Sequence, residues 1–490
     1  MKVTEGCILV LDEGTTSTRA IVYAPDGTAL HVCQKELTQH YPHPGWVEHD
    51  ANEIWERTLA CARAVIEQAG GAERVAALGI TNQRETVVAW DRQTGEPVTR
   101  AIVWQDRRTA PFCAQLRDAG HEEAVQALTG LVIDPYFSGT KMRWVLDNVS
   151  AARELGDRLA FGTVESWLVW KLTGGLHVSD ASNASRTQLL PLDRATWDEG
   201  LLDLFGVPRG SLPEVVDTHG AIGRCDPALL GAAIPISGLA GDQQAATIGQ
   251  HCLSAGDTKA TFGTGAFVLT NMGNQLPRSS HRLLGTVLCQ EGGRRTYALE
   301  GSIFVAGSLI KWLRDELGVI RTASESEELA RAVPDNGGVL FVPALAGLGA
   351  PHWKPDATGV VAGLTQGTSR AHIVRAAMES LAHQCHDLQE AFAADGAAWT
   401  TLRIDGGMSA NDWIAQDLAD MLALPVERPA DIETTALGAA MLAAVGAGIQ
   451  SSLQDAMCMG SARQTFATAM AADVRDARVA LWREGLRRYV

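Results

Sequence analysis

The run Asp12-Glu13-Gly14-Thr15-Thr16-Ser17 sets a carboxylate, a glycine and three hydroxyls close together, with Arg19 just beyond. Such a turn can surround phosphate oxygens. Glycine lets the backbone come close, successive N–H groups and hydroxyls donate, and a guanidinium adds a bidentate contact. Asp12 at a strand end could hold a hydrated Mg²⁺. The bland alternative is an ordinary polar turn, because Gly and Thr are common in turns. No Gly-Lys-Ser or Gly-Lys-Thr follows a glycine-rich run, so this is not a Walker A loop.

Further clusters carry related chemistry. Phe262-Gly263-Thr264-Gly265-Ala266-Phe267 is a second Gly/Thr turn that could meet the same phosphates from the other side. In Asp405-Gly406-Gly407-Met408-Ser409-Ala410-Asn411, paired glycines allow a flat base to lie on the backbone. Asn411 offers that base an amide, or else caps a helix. Asn82-Gln83-Arg84-Glu85 and Asp242-Gln243-Gln244 set charged groups beside amides. Arg84 and Glu85 together can donate to and accept from the hydroxyls of a triol. Asp242, in a Gly-flanked loop, suits a general base. The alternative for each is a solvated surface loop. His40, His43 and His49 match no common ligand spacing and sit in a proline-rich loop, so a structural loop is expected there.

Short elements must hold these groups. Residues 8–11 read as an apolar strand, the Gly/Thr turn follows and residues 20–23 return, which predicts a hairpin. Asp50-Ala51-Asn52-Glu53 reads as a capping box. It opens a helix whose inner face carries Ile54, Trp55, Leu59, Ala62, Val65 and Ile66. Residues 75–80 and 86–90 read as strands on either side of the Arg84 cluster. Residues 258–262 and 266–270 repeat the pattern strand, Gly/Thr turn, strand, which points to an internal duplication. Ile373, Met378, Leu381, Cys385 and Leu388 share one amphipathic helical face, and Trp413, Ile414, Leu418, Met421 and Leu422 share another. A third such segment, residues 436–444, lies in an Ala/Gly-rich stretch too short to span a bilayer and reads as a tightly packed core helix.

The chain has 490 residues, too many for one core, so domains abutting a cleft are expected, divided at 1–240 and 241–490. Its 41 basic and 57 acidic residues leave a net charge of −16. That field repels nucleic acid and anionic membranes, and a phosphate ligand needs local donors to overcome it. Nine scattered cysteines without a CxxC pair fit reduced, buried thiols in the cytoplasm. No signal peptide is read at the N-terminus.

Residues 12–19, 44–50, 79–86, 130–141, 183–187, 236–246, 347–353 and 435–440 together resemble the glycerol kinases of the FGGY carbohydrate kinases, within the actin-like ATPase superfamily. Ile80-Thr81-Asn82-Gln83-Arg84-Glu85-Thr86 and Gly130-Leu131-Val132-Ile133-Asp134-Pro135-Tyr136 resemble glycerol kinases more than their sugar-kinase relatives. The resemblance implies an α/β fold with two RNase H-like domains flanking a deep catalytic cleft. It implies phosphorylation of glycerol to sn-glycerol 3-phosphate with ATP and Mg²⁺, by a homodimer or homotetramer. By position, Arg84, Glu85, Tyr136, Asp242 and Gln243 would meet glycerol, with Trp104 and Phe267 walling its carbons. Asp242 would be the general base. Thr15, Thr16, Ser17, Arg19 and Thr264 would meet the nucleotide phosphates. Gly307, Lys311, Gly407 and Asn411 would lie on the adenosine side, and Asp12 and Asp242 near the metal.

Some positions depart from the family pattern. Glu13 stands where many members have Gln, so it either points away from the phosphates or helps hold Mg²⁺. Lys311 occupies a position often Gln. Ala233 stands where the enterobacterial form has an arginine that helps bind fructose 1,6-bisphosphate. Two other readings are compatible with the same residues: a kinase for another small polyol such as erythritol, and a non-catalytic polyol or ATP sensor. The joint presence of Asp12, Arg84, Glu85 and Asp242 weighs against the sensor, which has no use for a base.

Overall fold

The computed structural model describes residues 6–354 and 356–490. Two mixed sheets dominate it. The first is built from β1 (Cys7–Glu13), β2 (Ser17–Tyr23), β3 (Ala29–Glu36), β4 (Val75–Asn82), β5 (His219–Arg224) and β6 (Pro235–Gly241), in the order β5-β6-β4-β1-β2-β3. The second contains β7 (Thr258–Phe262), β8 (Ala266–Gly273), β9 (Leu284–Glu291), β10 (Arg294–Ile303), β11 (Leu402–Asp405), β12 (Val426–Pro429) and β13 (Arg463–Phe466), in the order β9-β10-β8-β7-β11-β12-β13.

The pairing makes the duplication plain. In the first sheet β1 is antiparallel to β2 and parallel to β4, β4 is parallel to β6, and β6 is antiparallel to β5. In the second, β7 is antiparallel to β8 and parallel to β11, β11 is parallel to β12, and β12 is antiparallel to β13. The two Gly/Thr turns therefore occupy the same topological place, at the tips of β1–β2 and β7–β8. The expected hairpins are present.

Alternation places the side chains of β1. Leu9 and Leu11 face a core shared with helix α1 (Ala51–Gln68), whereas Ile8 and Val10 face the opposite layer. A strand covered on both faces must be apolar on both, and all of β1 is buried. Helix α1 differs in detail from its predicted face. Thr58 and Cys61 are buried, while Trp55 and Leu59 are only half-buried. Asp50 caps the Asn52 and Glu53 amides, but the Glu53 carboxylate turns to Thr38 instead of completing the box.

Helix α2 (Asp242–Gly249) leaves the end of β6, so Asp242 sits at a strand-to-helix junction, not in the loop expected for it. Helices α3 (Gly307–Asp315), α4 (Arg370–Ala394) and α5 (Asp412–Leu422) accompany the second sheet. The predicted faces of α4 and α5 are buried, except that Ile373 is half-buried. Helix α6 (Thr434–Gly446) is buried on every side and is not amphipathic, because it lies between α2 and the first sheet. Small residues permit that. A Cβ on Gly438 would stand 1.8 Å from the Ala245 carbonyl oxygen. Seven of the nine cysteines are buried, Cys33 is half-buried and Cys458 is exposed.

The α2–α6 contact gives the first prediction. Gly438→Val forces backbone apart in a closed layer and is expected to destabilise by at least about 2 kcal/mol. Its denaturation midpoint should fall well below that of the parent. An unchanged midpoint would mean that the two helices separate freely.

Candidate active site

Arg84 and Glu85 follow the end of β4 and are both buried. The Thr86 amide donates to the Arg84 carbonyl at 2.8 Å, closing a γ-turn around Glu85, whose φ is +63°. A glutamate in that region is strained, and strain of this kind collects at functional sites. The Ser138 hydroxyl braces the turn by donating to the Glu85 carbonyl at 3.1 Å.

Arg84 reaches groups from several elements. It donates from Nη1 and Nη2 to the Glu300 carboxylate at 2.5 and 3.1 Å. Its Nη2 lies 3.3 Å from the Tyr136 hydroxyl, and its Nε lies 3.2 Å from Asp242 Oδ1. Arg186 completes the cluster, donating to Glu85 Oε1 at 2.6 Å and to Glu300 Oε1 at 2.9 Å. Burial alone would raise the Glu300 carboxyl. Arg186 and Arg84 more than offset that and hold it at about 2. Two guanidiniums and two carboxylates thus form a buried network with no net charge.

Aromatic rings close over this network. Trp104 lies edge-on to Tyr136, with centroids 5.7 Å apart, and to Phe267 at 6.2 Å. The Arg84 guanidinium lies 5.9 Å from the Phe267 centroid. Trp104, Tyr136, Thr264 and Phe267 line a cavity of about 630 Å³. Lys141, itself buried, holds the Tyr136 and Phe137 carbonyls at 2.5 and 3.1 Å.

The first turn is tight, with Gly14 N–H donating to Ser17 O at 3.0 Å. The Thr15 hydroxyl accepts from Trp104 Nε1 at 2.9 Å, and the Ser17 hydroxyl accepts from Gln34 at 2.8 Å. Thr16 is exposed at the tip. Arg19 binds Asp12 Oδ2 at 3.1 Å from Nε and 2.5 Å from Nη2, and also pairs with Glu433 beside α6. Arg19 is therefore a bridge between the two sheets' elements as well as a candidate phosphate donor. Burial pushes the Asp12 carboxyl up while Arg19 pulls it back, and the charge of Asp242 also reaches it.

Glu13 points away from the cleft. Its Oε1 meets the Thr18 and Thr58 hydroxyls at 2.7 and 2.8 Å under α1, and its Oε2 is buried without a partner. Burial raises its carboxyl to about 8. The Thr58 hydroxyl also lies 2.7 Å from the Ile54 carbonyl, which suits a neutral Glu13 that donates to Thr58.

In the second turn Gly263 and Thr264 are exposed. The Ala306 amide donates to the Thr264 carbonyl at 3.0 Å and the Gly307 amide to the Gly263 carbonyl at 2.9 Å. A Cβ on Gly307 would lie 2.5 Å from the Gly263 oxygen, so glycine lets the start of α3 touch the turn. Lys311 is exposed on α3. Gly407 is exposed, with open space where a Cβ would stand. Asn411 caps α5, accepting from the Ile414 amide at 3.1 Å, so its oxygen is committed to the helix.

The described structure thus brings Arg84, Glu85, Tyr136, Asp242, Trp104 and Phe267 together, and sets Gly307 against the Thr264 turn. Sequence reasoning missed Glu300 and gave Arg186 no role. The one available signal for Glu300 was a lone carboxylate inside the apolar strand Tyr297-Ala298-Leu299-Glu300-Gly301-Ser302-Ile303. Of the three histidines, His49 is buried and bridges Gln39 and Gln83, whereas His43 is exposed against Trp46.

Residues 7–249 match the N-terminal domain of the FGGY family of carbohydrate kinases, and residues 258–447 match its C-terminal domain. The chain belongs to the FGGY family of carbohydrate kinases. It is 52% identical over 487 residues to a glycerol kinase of Methylobacterium nodulans, which covers 98% of this chain and 97% of that one. It is 52% identical over 486 residues to a glycerol kinase of Gluconobacter oxydans, with coverage of 98% and 95%. Among solved structures, Plasmodium falciparum glycerol kinase with ADP matches with a TM-score of 0.92 at 32% identity, covering 99% of this chain and 98% of that one. The duplicated sheets are thus the two-domain, actin-like ATPase architecture of FGGY kinases. Among the described residues no helix is long and apolar enough to cross a membrane.

Two predictions follow from the buried carboxyls. Glu13 holds its proton up to about pH 8 in the folded chain, against an ordinary value of 4.5. Between those values the unfolded chain has released a proton that the folded chain keeps, so stability falls as pH rises through the window. Glu13→Gln removes this penalty. Its stability relative to the parent should grow by about 3–4 kcal/mol from pH 5 to pH 8.5, read by denaturant titration at each pH, and a pH-independent difference would show Glu13 ionised in both states. Glu300→Gln leaves the two guanidiniums short of one counter-charge and should cost about 3 kcal/mol. A variant as stable as the parent would remove the network from the list of stability determinants.

Proposed function

We propose that this FGGY kinase is an ATP-dependent glycerol kinase, transferring the γ-phosphate of ATP to a primary hydroxyl of glycerol to yield sn-glycerol 3-phosphate and ADP. The observation that carries this reading is the convergence on Arg84 of Asp242 Oδ1 at 3.2 Å, the Tyr136 hydroxyl at 3.3 Å and the Phe267 ring, with Trp104 edge-on to both rings. A triol presents hydroxyls on one side and carbons on the other. In this reading Arg84, Glu85, Tyr136 and Gln243 bond the hydroxyls, while Trp104 and Phe267 take the carbons. The relatives' names and the ADP-bound neighbour support the same substrates.

Asp242 accepts the proton of the primary hydroxyl as its oxygen forms a bond to the γ-phosphorus and the bond to ADP breaks. Phosphoryl transfer asks mainly for positioning and charge stabilisation, so no covalent enzyme intermediate is needed. Thr15, Thr16, Ser17, Arg19 and Thr264 bind the phosphates from two sides. Gly307, Lys311, Gly407 and Asn411 form the adenosine side, where open space above Gly407 suits a flat base and the amide nitrogen of Asn411 remains to donate. Asp12 and Asp242 fit a hydrated Mg²⁺, which takes one or two protein carboxylates and fills its shell with water and phosphate oxygens. Bound there, the ion neutralises charge on the transferring phosphate.

The same reading divides the chain at 1–240 and 241–490. It is supported by the strands of the first sheet lying within residues 7–241 and those of the second within 258–466. A cytoplasmic dimer or tetramer is the matching assembly, by analogy with the family.

Asp242→Asn should lower kcat by about a thousandfold or more, within the range for loss of a general base, while glycerol still binds by calorimetry. Parent-like turnover would remove Asp242 from its role. Across glycerol, dihydroxyacetone, erythritol and xylitol, kcat/KM should peak at glycerol. A peak at erythritol or xylitol would reassign the acceptor to a longer polyol.

A further inference from the structure

Lys259 lies in β7, near the middle of the second sheet, and is 0% exposed. A buried ammonium without a counter-charge is costly, and a methionine of similar length would fill the same space. Among the described residues no carboxylate lies within ion-pair distance of it. Its Nζ donates instead to Gln243 Oε1 at 2.5 Å and to Thr261 Oγ1 at 2.8 Å. Both acceptors are neutral, and both lead towards the site.

An ammonium can only donate, so the Gln243 amide must turn its oxygen to Lys259. This fixes an orientation that the amide alone would leave open. The Nε2 end then points the other way and has no bond to another described residue. Gln243 sits in the first turn of α2, and its backbone N–H donates to Asp242 Oδ1 at 2.7 Å. The unpaired amide donor is thus on the residue next to the proposed base.

The second acceptor extends the chain of contacts. Thr261 stands opposite Asp405 in the parallel pairing of β7 with β11, and Asp405 accepts from Gln250 at 2.9 Å and from the Thr434 hydroxyl at 2.5 Å. Asp405 precedes the Gly406–Gly407 turn, and Thr434 starts α6 beside Glu433, the partner of Arg19. One buried cation thus stands between Gln243 and the strand pair that leads to the Gly406–Gly407 turn.

We propose that Lys259 is a positioning residue for phosphoryl transfer: by holding Gln243 Oε1 it presents Gln243 Nε2 as a fixed hydrogen-bond donor to the reacting oxygens beside Asp242. The inference rests on the glycerol kinase reading. Glycerol-dependent ADP release by the parent tests that reading separately, because its absence would fail the function whatever the variants do.

Lys259→Met removes the charge and keeps the bulk. It should fold with a midpoint at or above the parent's, leave the KM for ATP within about threefold, and lower kcat about a hundredfold, the low end of the range seen when one preorganised donor is lost. Gln243→Ala should produce a similar loss. Because Lys259 acts through Gln243, adding Lys259→Met to Gln243→Ala should cost less than about threefold more. Parent-like kcat in Lys259→Met, or losses that multiply in the double variant, would overturn the proposal. Gln243→Glu guards against misfolding of the methionine variant. It offers Lys259 a carboxylate, so it should fold, but it lacks the amide donor and should lose at least about tenfold in kcat. Parent-like kcat in Gln243→Glu would equally overturn it.

Discussion

The buried network of Arg84, Glu85, Arg186 and Glu300 is the constraint on which the rest of the architecture depends. Taking four charges out of water is expensive unless each finds partners of good geometry. Here the partners come from distant stretches: Arg84 and Glu85 from the γ-turn after β4, Arg186 from the segment before β5, and Glu300 from β10. No single sheet can satisfy the set. Arg84 without Glu300 keeps only the part-exposed Asp242 and a 4.0 Å contact with Glu85, and Glu300 without the arginines is an unpaired buried anion. The charged cluster is therefore complete only when the two sheets stand in their observed relation.

That relation has to be held by apolar contact elsewhere, because the network itself contributes geometry more than net stability. The α2–α6 layer supplies it. Helix α6 follows the strands β11 and β12 in the chain, yet it packs on the first sheet through Ala436, Ala439, Ala440 and Ala443. Its small side chains bring backbones close, and close backbones leave little freedom to slide. The acidity of the whole chain makes local order matter more. A polyphosphate approaching a protein of net charge −16 meets repulsion everywhere except where oriented donors and cations converge.

Much of this was legible in the sequence, and the boundary of legibility has a physical cause. The two hairpins, the strand before Arg84 and helices α4 and α5 follow from periodicity within a dozen residues. The polyol cluster and the phosphate turns stood out because several unusual residue types occur in short runs. Glu300, Lys259 and Glu433 did not stand out. Glu300 and Glu433 are single charged residues whose partners lie far along the chain, and Lys259 is a lone cation whose burial and neutral partners only the fold reveals, so no local pattern marks them. Glu13 was visible as a departure, but its direction depended on Thr58, a helix residue brought beneath it by tertiary packing. Trp55 and Leu59 were assigned to the core on hydrophobicity, whereas the buried face of α1 is set by the smaller Thr58 and Cys61.

The contacts across the cleft are unequal in cost. Beside the Gly14 turn the tie is Arg19 with Glu433, whose side chains are 23% and 50% exposed. An ion pair in that setting is worth about 0–1 kcal/mol, since water replaces either partner readily. Beneath the aromatic rings the tie is Arg84 with Glu300, whose side chains are 2% and 0% exposed. Breaking a pair of that kind costs about 3–5 kcal/mol. Glu433 stands at the start of α6, which already packs on the first sheet, so the Arg19 pair adds little to the hold between the sheets, and the buried Arg84–Glu300 pair carries the electrostatic part of it.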